Sequence, residues 1–165
     1  MGKFRHITTI GKITMSKSII VVCERYGKVR DAFQARGWDA WSLDLLPDIN
    51  GSKKHIQDDA INFFIHNKKH WDMMICFPPC TYLSNSGNAW LQPKNNKLWY
   101  VRVALRKAAA AFARFLFTLP IEKIAMENPT GGLSTLLFPE DKKRSKPSQY
   151  IQPYEHGHPV SKKTC

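Results

Sequence analysis

An α/β fold built on a mainly parallel sheet is what this 165-residue sequence predicts. Three observations predict it. Short runs with apolar residues at their centres recur at 18–23, 39–44, 72–77 and 121–126, the first and third rich in Ile, Val and Met, each short enough to be a buried strand. Each run ends in a polar, glycine or proline turn. The segments between them carry helical patterning, and strands that alternate with helices are joined in parallel with helices on both faces.

The elements follow in order. Residues 18–23 (Ser-Ile-Ile-Val-Val-Cys) read as the first strand, and 28–36 as a helix closed by Gly37. Residues 39–44 read as a second strand ending at Asp44, and 56–66 as a second helix. Met73 to Phe77 suit a short buried strand that Pro78 and Pro79 terminate, because two prolines remove two backbone donors. The segment from Asn85 to Asn96 is polar and reads as a mobile connection over the sheet edge. Residues 97–118 form the firmest helix, with alanines at 104, 108–111 and 113 and a stop at Pro120. A last strand at 121–126 precedes Glu127-Asn-Pro-Thr-Gly-Gly132, and the remainder reads as loop plus short strands.

Composition bounds the function. Hydrophobic residues make up 43% and charged residues 23%, ordinary values for one globular domain with a real core. Residues 1–17 hold four basic residues and no acid, and read as a loose basic extension before a single domain at 18–165. The closing Lys162-Lys-Thr-Cys165 reads as the start of another strand, as in a C-terminally truncated domain. No apolar run approaches the ~20 residues that span a bilayer, so no membrane partner is expected. The four cysteines have no disulfide-framework spacing, which fits a reduced, cytoplasmic protein.

The formal charge of +12 favours an anionic partner, with nucleic acid, DNA foremost, or a nucleotide as the leading candidates. Between Met73 and Ile121 lie Lys94, Lys97, Arg102, Arg106, Lys107 and Arg114 with no acid, interleaved with Tyr82, Trp90, Trp99 and Tyr100. Cations among aromatic rings suit phosphate contact and base stacking. His156, His158 and Cys165 are ligand types that zinc accepts, but their spacing makes no closed four-ligand pattern, and no metal is expected.

Two strand ends carry the chemistry. Pro78-Pro79-Cys80 fixes a thiol just beyond one strand, and Glu127-Asn128 follows another, so a nucleophile and a carboxyl group reach equivalent positions. In open α/β sheets, ligands bind beyond the carboxyl ends of the strands. This pairing resembles the cytosine-C5 DNA methyltransferases, in which a Pro-Cys loop supplies the nucleophile and a Glu-Asn pair after a later strand holds the target base. Cys23-Glu24-Arg-Tyr-Gly27 is similar to that family's cofactor loop, and Lys146 to Pro159 to a segment of its short, phage-type members.

The resemblance implies a Rossmann-like methyltransferase domain that uses S-adenosylmethionine. It implies Cys80, Glu127 and Asn128 as catalytic residues. Glu24, Gly27, Asp44, Asp72 and Pro79 are implied at the cofactor, with Asp44 accepting from the ribose hydroxyls and Asp72 near the adenine. Lys94, Lys97, Arg102, Arg106 and Lys107 are expected to bind nucleic acid, as are Gln149 and Gln152, which stand where the family places arginines. The implied reaction is addition of the Cys80 thiolate to C6 of cytosine, which makes C5 nucleophilic. The cofactor loop offers one glycine, Gly27, where the family has several, and 165 residues hold no long target-recognition domain. Those departures support an alternative: a catalytically reduced member that binds nucleic acid, nucleotide or a protein partner, as a phage regulator or counter-defence factor.

Overall fold

A computed structural model describes residues 16–95, 97–141, 143–144 and 146–159. Residues 1–15 of the expected basic extension, and the closing stretch 160–165 with Cys165, lie outside the described residues. Five strands form one sheet: β1 (Ser18–Val22), β2 (Asp39–Asp44), β3 (His55–Gln57), β4 (Met73–Cys76) and β5 (Lys123–Met126). Their order is β3-β2-β1-β4-β5, and every pairing is parallel. The helices are α1 (Lys28–Gln34), α2 (Ala60–His66), α3 (Trp99–Phe117) and α4 (Leu133–Leu136), with 3-10 turns at Asn85–Leu91 and Pro153–His156. This is the Rossmann-like α/β fold that the alternating pattern predicts.

Strand alternation sorts the core into two layers. Ile20, Val22, Met74 and Cys76 pack with Leu43 against Ala60 and Phe63 of α2 and Leu116 of α3. Ile19, Val21 and Ala40 turn to the opposite face, against Val29 and Phe33 of α1. A third cluster, Leu83, Ala110, Ala113, Leu133, Leu137 and Phe138, joins α3 to α4 and to the loops after β4 and β5.

Two expectations are corrected here. The single helix read at 56–66 is a three-residue edge strand, β3, followed by α2, which begins only at Ala60 because Asp59 caps it by accepting from Asn62 N–H at 3.0 Å. The connection after Asn85 is a 3-10 turn resting on α3 rather than an open loop. Among the described residues, no helix is long and apolar enough to cross a membrane.

Candidate active site at the carboxyl edge of the sheet

Because all five strands are parallel, every segment that leaves the sheet at a carboxyl end emerges along one edge. The registers set Val22 beside both Leu43 and Cys76, and Cys76 beside Met126. Beyond them the ladders continue for one step: Phe77 N–H donates to Val22 O at 3.0 Å, Glu127 N–H to Cys76 O at 3.0 Å, and Cys23 N–H to Leu43 O at 2.8 Å. The chain order reverses between β1 and β4, the crevice in which such folds bind ligands. The Pro78-Pro79-Cys80 loop leaves the sheet at that crevice.

The loops after β4 and β5 are tied together. Asn128, 1% exposed, donates its side-chain Nδ2 to the Pro78 carbonyl at 2.9 Å. Gly132 N–H donates to Leu83 O at 2.6 Å, and Ser84 and Gly131 form a bridge. A side chain at Gly131 would collide with the Leu83 carbonyl, so the absence of a Cβ permits this approach. Leu83 and Ser84 N–H groups both donate back to Cys80 O at 2.9 Å, closing a turn on the cysteine. Thus Cys80, two residues past Pro78, and Glu127, next to Asn128, are held at one corner of the edge. The structure uses the Asn128 amide to hold the Pro78 backbone.

A cleft of about 290 Å³ opens beside this corner, walled by Cys23, Asp44, Asp58, Asp59, Pro79 and Phe112 among others. Asp44 and Pro79 are two of the residues expected at the cofactor. Asp58 and Asp59 were not among them, because β3 was hidden inside an apparent helix. The recognisable signal was the Asp58-Asp59 pair just before an apolar helical run, since an acid before such a run marks a helix start. Burial, with Asp44 and Asp59 nearby, pushes the Cys23 thiol up to about 12, and burial pushes Cys76 up to about 12 as well. Cys23 also holds a positive φ of 60° at the turn out of β1.

Glu24 and Gly27 have structural work instead of walls in this cleft. Both Glu24 carboxylate oxygens accept from α1, one from Val29 N–H and the other from Arg30 N–H at 3.2 Å. Burial raises the Glu24 pKa, and the two N–H groups oppose that. Gly27 sits at φ 66°, and the space of its missing side chain is filled by the Arg30 guanidinium. Arg30, 1% exposed, bonds Asp48 at 2.7 Å, Ser42 Oγ at 2.8 Å and Asp31 at 2.8 Å. This network seats the turn after β2 against α1.

Asp72 is corrected outright. It precedes β4, so it lies at the amino edge of the sheet, away from the cleft. There it accepts from Ser18 N–H at 2.7 Å and Ser18 Oγ at 2.9 Å, bonds that lower its pKa. Asp58, which follows β3, stands instead at the carboxyl edge, in the wall of the cleft.

A second cavity, of about 490 Å³, runs along the outer side of β5 between Glu127, Met126, Phe117, Leu137, Arg144 and Gln149. It places Gln149 on the same cavity as Glu127. Gln152 is elsewhere: its N–H donates to the Glu155 carboxylate at 3.2 Å at the start of the last 3-10 turn. Lys94, Lys97 and Lys107 are exposed. Arg102 and Arg106 are half-buried and turned to the loop after Cys80, Arg102 donating to Thr81 O at 3.3 Å and Arg106 to Asn88 Oδ1 at 2.6 Å.

No family model and no curated protein matches the chain. A solved structure does: a chain from E. coli, provisionally described as a DNA modification methyltransferase encoded within a prophage, aligns with a TM-score of 0.51 and 16% identity. The alignment covers 90% of this chain and 45% of that one, so the chain spans a little under half of its neighbour's length. The likeness establishes a methyltransferase-like fold.

Proposed function

We propose that this chain is an S-adenosylmethionine-dependent, cytosine-C5 methyltransferase-like protein that acts on DNA or a nucleotide through Cys80. The observation that carries the reading is the junction of the loops after β4 and β5, which ties the loop that carries Cys80 to the loop that carries Glu127, with Pro79 of the first loop in the wall of an acid-lined cleft. The neighbour, described as acting in DNA modification, supports the same class.

The cleft suits the cofactor chemically. Glu24 already fills the N-terminus of α1, the place where nucleotide folds seat a phosphate, so the loop is matched to a cofactor without one. Asp44, Asp58 and Asp59 give the walls negative charge, which favours a cationic ligand. Bound there, S-adenosylmethionine supplies an electrophilic methyl group on a sulfonium. Asp44 would accept from the ribose hydroxyls, and Asp58 from the adenine amino group.

Cys80 adds as thiolate to C6 of cytosine, and the ring electrons move toward N3. Glu127 delivers a proton to N3 or shares one with it, which removes the developing charge. C5 of that adduct would be nucleophilic toward the methyl group the cofactor supplies; loss of the C5 proton to a base, return of the N3 proton to Glu127 and departure of the thiolate from C6 would then restore the aromatic ring. Asn128 acts through Pro78, as a positioning residue for the nucleophile loop. Gln149, on the cavity it shares with Glu127, would read the edge of the base. A base in a duplex must first leave the stack.

Two observations favour the second reading, a non-catalytic binder on the same fold. The 290 Å³ cleft is at the small end of ligand pockets, and Cys23 stands in its wall at a turn suited to glycine. Titration calorimetry with S-adenosylmethionine separates the two. The enzyme reading expects binding that Asp44→Ala and Asp58→Asn weaken and Cys80→Ser leaves intact; absence of binding at millimolar cofactor gives the binder reading.

A further inference from the structure

The start of α3 exposes rings that a folded chain normally buries. Tyr100 is 57% exposed, Trp99 37%, and Trp90, on the 3-10 turn against the same helix, 53%. Exposed aromatic surface of this kind marks an interaction site. Lys94 and Lys97 just precede the helix and Lys107 lies about two turns along it, all three exposed, and the chain from Met73 to Ile121 contains no acid.

We propose that this surface binds single-stranded nucleic acid, with unpaired bases stacking on Trp99 and Tyr100 and phosphates meeting Lys94, Lys97 and Lys107. The proposal rests on the methyltransferase reading for its purpose and deepens it by naming the form of the substrate. Stacking on a protein ring needs a base face that a duplex keeps covered, so the aromatic platform selects unpaired strands. The charge selects against a second copy of this chain, because each copy carries +12 and the lysines would meet lysines.

The platform is also joined to the nucleophile. Trp99, Arg102 and Arg106 follow at i, i+3 and i+7 along one face of α3, over about 10 Å. Arg102 lies 5.2 Å from the centre of the Tyr82 ring and donates to the carbonyl of Thr81, the residue after Cys80. Arg106 holds Asn88 of the 3-10 turn. A strand stacked on Trp99 therefore lies on the surface that continues into the Cys80 loop, and delivers its next nucleotides toward that corner.

The test is fluorescence anisotropy of the full chain with a labelled 12-nucleotide single strand and the corresponding duplex, across a salt series. The single strand should bind more tightly than the duplex. Trp99→Ala with Tyr100→Ala should weaken single-strand binding about tenfold or more, Trp99→Phe should retain it, and circular dichroism should show each variant folded. Replacing Lys94, Lys97 and Lys107 by Gln should lower the logarithmic salt slope by about 2. Equal affinity for both forms, unchanged in the folded double aromatic variant, overturns the proposal. So does a dimer in sedimentation that this variant abolishes. Single-strand binding without methyl transfer by the wild type counts against the enzyme reading alone, whereas methyl transfer to a free nucleotide without strand binding counts against this proposal alone.

Discussion

Asn128 donates its side-chain N–H to the Pro78 carbonyl at 2.9 Å, so the loop that carries Glu127 holds the loop that carries Cys80. The bond is buried and crosses fifty residues of sequence, so its loss leaves a buried carbonyl without that donor. Asn128→Ala should therefore lower the unfolding free energy by about 1–3 kcal/mol in urea titrations. The same variant should make the turn after Cys80 cleave faster in limited proteolysis. Unchanged stability and cleavage would show that the two loops are held by other contacts.

Acid should loosen the turn after β2. Asp48 is held down to about 2, first by Ser52 N–H and then by the Arg30 guanidinium. A depressed folded pKa means that its contribution is complete above the unfolded value, near 3.9, and is lost as pH falls toward about 2. The gap in urea midpoint between wild type and Asp48→Asn should be widest above pH 4 and close between pH 4 and 2. A gap independent of pH through that window would contradict the ionised Arg30–Asp48 pair.

Thiol reactivity should separate the described cysteines. A thiol with a pKa near 12 is thiolate in only roughly one part in 10⁵ at pH 7, which keeps Cys23 and Cys76 slow. Cys80 lies partly exposed in its loop. Peptide-mapped alkylation with iodoacetamide at neutral pH should therefore modify Cys80 before Cys23 or Cys76; Cys76 labelling first would contradict the buried strand environment.

Much of this architecture was readable from particular residues. β1 and β4 are apolar runs, β2 and β5 have apolar centres, all four are bounded by turn residues, and α3 is rich in alanine and ends before Pro120, so local pattern and tertiary packing agree there. β3 was not readable: its three residues hold one aliphatic side chain, and pairing with β2 makes it a strand. That omission hid Asp58 and Asp59. The misplacement of Asp72 has a different origin, since an acid before a parallel strand must lie at the amino edge whatever its distance from Cys80 in sequence. Glu24, expected at the cofactor, also accepts from the first turn of α1, a contact that depends on the three-dimensional path of the loop. The ring-and-lysine pattern at α3 was visible, but that Arg102 and Arg106 turn inward to the Cys80 loop was not.

The most direct measurement is covalent trapping. A cytosine with fluorine at C5 cannot release the enzyme after methyl transfer, because the proton that elimination requires is absent. Incubated with S-adenosylmethionine and a 5-fluorocytosine oligonucleotide, the wild-type chain should gain the mass of the methylated strand on Cys80 in intact-protein and peptide mass spectrometry. Glu127→Gln should form the adduct more slowly, and Cys80→Ala should form none. Bound cofactor with no adduct on single strands, duplexes or free 5-fluorocytidine nucleotide would contradict the Cys80 mechanism.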